Sequence, residues 1–135
     1  MTIDVITSTK DKRVYVYMDG NFVLKDEYRS PKHFMEVLCL GNGTTLDGCY
    51  EASRILLDNA YKRPIYIGGS CNQIFIPISS FKDSHCTWIS LDFFLNESLD
   101  TFNALGYEIM SKKRWQKHLS DGIALKHAIF KKETF

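Results

Sequence analysis

Residues 13–24 read Arg-Val-Tyr-Val-Tyr-Met-Asp-Gly-Asn-Phe-Val-Leu, two β-branched and aromatic runs on either side of Asp19-Gly20. An Asp-Gly pair accepts the positive φ angles of a type I′ turn, whose twist matches that of paired strands. The segment therefore predicts a β-hairpin, with Asn21 extending the turn and Phe22-Val23-Leu24 returning as the partner strand. This commits the first part of the chain to sheet.

Further along, the signals mix helix and strand. Lys25 to Pro31 is polar and reads as a loop. His33 to Leu40 suits a short helix or, through its Glu36–Leu40 half, a strand. Asp47 is placed to cap a helix from about 48 to 60, with Ala52, Ile55, Leu56 and Ala60 on its apolar face. Lys62-Arg63-Pro64 ends it. Pro64 to Ile67 is a short apolar run. Gln73 to Ile78 predicts a strand in which Pro77, having no N–H, argues for an edge position or a bulge. Cys86 to Phe94 predicts another strand, with Trp88 in the core. Asn96 to Asn103 reads as a connection and Leu105 to Met110 as one more short strand. Ser111 caps a last helix with Trp115, Leu119, Ile123 and Phe130 in one stripe, His127 near them, and Lys113, Lys117 and Lys131 towards the other side. Gly122 within it predicts a kink or break. Residues 1–135 are expected to form a single α+β domain: an antiparallel or mixed sheet of short strands with two main helices.

With 44% hydrophobic and 24% charged residues the chain is neither disordered nor collagen-like, and it lacks the composition of a coiled coil. No apolar run approaches the ~20 residues of a transmembrane helix, and the N-terminus lacks a signal-peptide core, so a cytoplasmic location is expected. Cys39, Cys49, Cys71 and Cys86 match no zinc or CxxC spacing and read as free, partly buried thiols. The net charge of +1 hides an asymmetry. Residues 111–135 hold seven basic side chains against two acidic ones, a net +5, while residues 1–110 carry −4. A basic segment can draw phosphate or an acidic surface to it, although an exposed lysine-rich helix face explains the same count.

Catalytic and metal signatures are absent from the sequence. His85 and Cys86 are adjacent, so on a strand they point to opposite faces. The four histidines share no ligand spacing, and no GxGxxG, P-loop or GxSxG occurs. Neither catalysis, cofactor nor metal is expected. Asn72-Gln73 has the side chains that read adenine edges. For Asn72, a turn stabilised by its own backbone bond is the better-supported alternative.

From Pro64 to Ser90 the motifs join into a pattern: Pro64-Ile65, Asn72-Gln73-Ile74-Phe75, Ile76-Pro77-Ile78-Ser79-Ser80 and Cys86-Thr87-Trp88-Ile89-Ser90. Their order and spacing resemble the ComK family, competence transcription factors of Gram-positive bacteria. Leu40-Gly41-Asn42 is similar to the family's Phe-Gly-Ser/Asn element, and Gly106 to Phe130 to its later region, where a short strand leads into a basic helix. The resemblance covers roughly residues 12–130. It implies a DNA-binding regulator that recognises AT-rich promoter boxes, through minor-groove shape, to activate DNA-uptake genes. Such a regulator would be cytoplasmic and nucleoid-associated and would self-associate on double-stranded DNA. Lys112, Lys113, Arg114 and Lys117, with a smaller group of Arg54, Lys62 and Arg63, are then the candidate DNA contacts. Two departures stand out. Gly48-Cys49-Tyr50 occupies the place of the family's Gly-Arg-Lys stretch. The longer C-terminal tail of full-length members has no counterpart, which puts control by the family's adaptor and Clp protease in doubt. The alternative is a protein-interaction module that pairs with a full-length member and modulates it.

Overall fold

The computed structural model describes residues 2–58, 64–79, 83–106 and 108–133, with side chains as far as residue 130. The expected hairpin is present. β2 (Val14–Met18) and β3 (Asn21–Leu24) pair antiparallel with Met18 opposite Asn21, and Asp19 and Gly20 have φ of 52° and 82°. Its other neighbour is β1 (Ile3–Ser8), a strand the sequence signals left unassigned.

Among the described residues, α1 (Pro31–Gly41) and α2 (Leu46–Leu57) come next. Then follow β4 (Ile65–Ile67), β5 (Gln73–Pro77), β6 (Trp88–Ser90), α3 (Leu91–Asn96), α4 (Leu99–Ala104) and α5 (Lys112–Glu133). The sheet order is β3-β2-β1-β6-β5-β4, and every pairing is antiparallel. The fold is thus α+β as expected, with an antiparallel sheet and more helices than the two foreseen.

Apolar side chains on both faces explain the layering. In β5, Phe75 enters one core with Trp88, Met35 and Cys39, while Ile74 and Ile76 enter the other with Leu91, Trp115 and Leu125. A strand apolar on both faces has to be covered on both. α1 and the start of α2 cover one face, and α3, α4 and α5 the other. Trp88 is fully buried, as expected.

Several expectations need correcting. Residues 33–40 take the helical of their two expected readings: Ser30 caps the His33 N–H and Pro31 occupies the first turn, where its missing N–H costs nothing. α2 is capped by Thr45 rather than Asp47, which sits in the first turn. The helix closes at Leu57, with Asp58 left-handed. Leu46, Cys49 and Ser53 are buried and the expected Leu56 packs against the second core, whereas Ala52 and Ile55 are exposed; Ala60 lies outside the described residues.

Pro77 is on neither edge strand nor at a bulge. The Ile78 N–H bonds the Thr87 carbonyl on the β6 side. By alternation the missing Pro77 donor faces the β4 side, past Ile65–Phe75, so no ladder bond among the described residues is lost. The strand expected over 86–94 stops at Ser90, whose hydroxyl caps the Phe93 N–H and starts α3. The expected connection at 96–103 contains α4, capped by Ser98. None of the described residues of 105–110 is in a strand. Instead Asn103 pairs side chain to backbone with Met110, accepting from its N–H at 2.9 Å and donating to its carbonyl at 3.2 Å.

Gly122 does not break α5, which runs continuously from Lys112 to Glu133. It lies close against the sheet. A Cβ there would stand 2.8 Å from Ile76 Cδ1 and 2.9 Å from Leu91 Cδ1.

Candidate nucleic-acid interface

α5 starts where the Ser111 hydroxyl accepts from the Arg114 N–H at 3.2 Å, the expected cap. One turn on, Trp115 is buried with its ring centroid 4.4 Å from that of Phe94 and 6.0 Å from that of Phe102. Anchoring Trp115 fixes the helix's rotation. At about 100° per residue, Lys113 and Lys117 then lie on the outward side, one turn apart, with Arg114 and Lys112 on opposite flanks. All four side chains are exposed.

Arg114 reaches the sheet. Its guanidinium donates to the Ile78 carbonyl at 2.6 Å. This holds it on the wall of a cleft of about 250 Å³ lined by Pro77, Ser79, Arg114, Lys117, His118 and Asp121. Burial lowers the His118 pKa, the neighbouring charge of Arg114 lowers it further, and Asp121 opposes both. His118 is therefore neutral at pH 7, and the cations at the cleft are Arg114 and Lys117.

The first turns of the helices differ, and α5 carries the most cations; α1 also lacks an acidic residue there but sets a single lysine, Lys32, in it. The positive end of a helix dipole favours an acidic first turn by about 0.3–1 kcal/mol per charge. α2, α3 and α4 follow the rule with Asp47, Asp92 and Asp100. α5 has no acidic residue in its first turn and sets Lys112, Lys113 and Arg114 there. Three cations crowd the end where the backbone is already positive. This weakens the helix and concentrates positive potential at one point on the surface.

The second expected group is arranged differently. Arg54 is exposed in the last turn of α2, with its guanidinium forked onto the Glu51 carboxylate. Lys62 and Arg63 lie outside the described residues. Gln73 is tied into the sheet. It is buried, its Oε1 accepts from the Ile3 N–H at 3.1 Å, and its Nε2 donates to the Ile3 carbonyl at 2.9 Å and to Asp92 at 3.2 Å. The Asn72 side chain accepts from the Tyr66 hydroxyl at 2.7 Å rather than bonding its own backbone, and its φ is 47°. The tie from Arg114 to Ile78 carried no sequence signal, because it joins residues 36 positions apart.

Among the described residues no helix is long and apolar enough to cross a membrane. Neither the curated proteins nor the solved structures hold a match to the chain. The family described as ComK protein matches residues 3–105. The match starts nearer the N-terminus than the expected 12 and takes in β1, which joins the hairpin to the rest of the sheet. It ends at Leu105, so the basic helix α5 follows the matched part. The match spans most of the chain, all six strands and the motifs from Pro64 to Ser90: the chain belongs to the ComK family, a family of competence transcription factors.

Proposed function

We propose that this chain is a DNA-binding transcriptional regulator that recognises AT-rich promoter boxes and activates DNA-uptake genes in a Gram-positive cytoplasm. Lys112, Lys113, Arg114 and Lys117 meet the phosphates, with Arg54, Lys62 and Arg63 as a lesser group. One domain spanning residues 1–135 carries the activity without a cofactor. The observation that carries this reading is the crowding of three cations at the positive end of α5, which costs helix stability; α2, α3 and α4 have an acidic first turn, and α1 sets only Lys32 in its own. Phosphates would neutralise those charges and accept from them. Arg114, already held by Ile78, would lose little side-chain freedom on binding. In A-tracts the narrow, strongly negative minor groove draws cations, so shape supplies specificity with few base contacts. Two chains on paired boxes would reinforce one another.

The test is binding to a duplex with two spaced AT-rich boxes, against a GC-rich duplex, at several salt concentrations. Binding should favour the AT-rich duplex and weaken with salt. If Lys113 and Lys117 each neutralise one phosphate, changing both to Ala should lower the slope of log K against log salt by about 1.8. An unchanged slope rejects that assignment.

A second reading is a module that pairs with a full-length family member. It is favoured by the place of the family's basic pair: Cys49 is buried there and Tyr50 half-buried, so no cation is displayed. A complex with a full-length member at micromolar concentration, with no binding to either duplex, would select this reading.

A further inference from the structure

Away from the cationic first turn of α5, a cleft of about 420 Å³ lies beside the carboxyl half of the same helix, next to the start of α3 and the start of β5. Sites for small molecules are commonly about 300–1,000 Å³. Ile74 and Leu91 are buried and give the cleft an apolar base. The rings of Tyr66 in β4 and Phe130 in α5 also line it. The cleft is separate from the proposed phosphate contacts: Lys126, which borders it, stands about 14 Å further along the helix than Lys117.

Two opposite charges border the cleft and do not meet. Asp92 of α3 and Lys126 of α5 both line it, and neither has an ion-pair partner among the described residues. Asp92 is held in place. Its Oδ2 accepts from the Gln73 amide at 3.2 Å, and Gln73 is itself pinned to both backbone groups of Ile3. Oδ1 is left for a ligand. Asp4 adds negative charge on this side: burial, and then the nearby charge of Asp92, raise its pKa. The Lys126 ammonium stands 5.8 Å from the Phe130 ring centroid. Asn72 supplies a neutral donor. Its Oδ1 accepts from the Tyr66 hydroxyl at 2.7 Å, which orients the amide and leaves Nδ2 without a partner among the described residues.

We propose that this cleft is a binding site for a free α-amino acid with an apolar or aromatic side chain, its ammonium on Asp92, its carboxylate on Lys126 and Asn72, and its side chain on Ile74 and Leu91. An anionic acceptor, a cation and an amide donor around an apolar base are the complement of such a zwitterion, and both of its charges make the stronger, charge-assisted kind of hydrogen bond. Other classes fit less well. A purely apolar ligand would cover Asp92 and leave its charge unpaired. A nucleotide would meet a single cation for its phosphate, with the Asp92 carboxylate opposing it. A zwitterion pairs both charges at once and leaves neither the Asp92 nor the Lys126 charge stranded.

The experiment titrates the whole chain, isotope-labelled, with L-phenylalanine and L-leucine and follows its backbone amide resonances. Two analogues each lack one charge: phenethylamine has no carboxylate and 3-phenylpropionate no ammonium. Saturable shifts centred on residues 72–74, 91–92 and 126–130 are expected with the amino acids. Each analogue should bind about tenfold more weakly than phenylalanine, or less tightly still. This series needs no variant to fold. Asp92→Asn should weaken phenylalanine by about the same factor and leave 3-phenylpropionate unchanged, since that analogue has no ammonium to lose. Lys126→Gln should weaken phenylalanine and leave phenethylamine unchanged, for the converse reason. Absence of saturable shifts in the millimolar range, shifts centred on other residues, or an analogue binding as tightly as phenylalanine would overturn the proposal.

Discussion

Gly122 of α5 and Ile76 of β5 meet so closely that a methyl on Gly122 would stand 2.8 Å from Ile76 Cδ1. Leu91 Cδ1 closes the same space at 2.9 Å. The missing side chain lets the helix carrying the cationic cluster lie directly on the sheet. Alanine at an exposed helical glycine gains about 1 kcal/mol. Here two core side chains would have to move, so Gly122→Ala should instead lose about 1 kcal/mol net and Gly122→Val about 3 kcal/mol. Urea unfolding midpoints check the order; a stabilised Ala variant would contradict it.

Gln73 fills a place the sheet leaves open. The registers put Phe75 opposite Ser90 and Ile89 opposite Val5. Continued, they would set Gln73 and Ile3 against residues 92 and 91, where the chain has already turned into α3. The Gln73 amide bridges from β5 to β1 across that gap. Gln73→Leu should cost about 3 kcal/mol by stranding both backbone groups of Ile3. Gln73→Glu would set a second negative charge beside Asp92. Burial and the like charge would raise the pKa of the new carboxyl, so the deficit should be largest at high pH and shrink as the pH falls and Glu at position 73 protonates.

The first turn of α5 separates stability from function. Lys112→Asp with Lys113→Asp should complement the helix dipole and raise stability by about 0.5–2 kcal/mol. The same pair should abolish binding to the AT-rich duplex. A thermal melt and a binding titration on one preparation read both. Loss of stability, or retained binding, would remove α5 from the proposed interface.

His118 sets a pH dependence. Its pKa is lowered in the folded protein, chiefly by burial. Below the unfolded value of about 6.5 the unfolded chain binds a proton the folded chain resists. Stability is therefore full above that pH and falls as the pH drops through the folded pKa. His118→Gln should flatten the stability profile over that range, at a constant cost from the lost contact with the Phe94 ring. An unchanged slope between pH 7 and 5 would show that His118 is not responsible.

Local chemistry was readable wherever a few neighbouring residues suffice. Asp19-Gly20 makes its turn through backbone freedom within the pair, and Ser111 caps through a hydroxyl three residues from its donor. Ser90 and Ser98 cap in the same way, but Ser90 lies in an apolar run that also suits a strand and Ser98 among polar residues that also suit a connection, so α3 and α4 were missed. β1 was passed over because Asp4 interrupts its apolar pattern and no turn signal marks it. The exposed lysines of α5 were legible as a charge count. Their angular arrangement depended on where Trp115 is anchored.

The sequence by itself determined the hairpin, the α+β class, the burial of Trp88, the excess of cations after residue 110 and the motifs that carry the family resemblance. Each of these rests on composition or on neighbours a few positions apart. Tertiary structure alone decided that β1 lies between β2 and β6, that Gln73 completes the ladder, and that Gly122 is a contact rather than a break. Those relationships join elements whose approach is fixed by burying two apolar faces of one sheet at once. No local pattern encodes which distant side chain ends up opposite which.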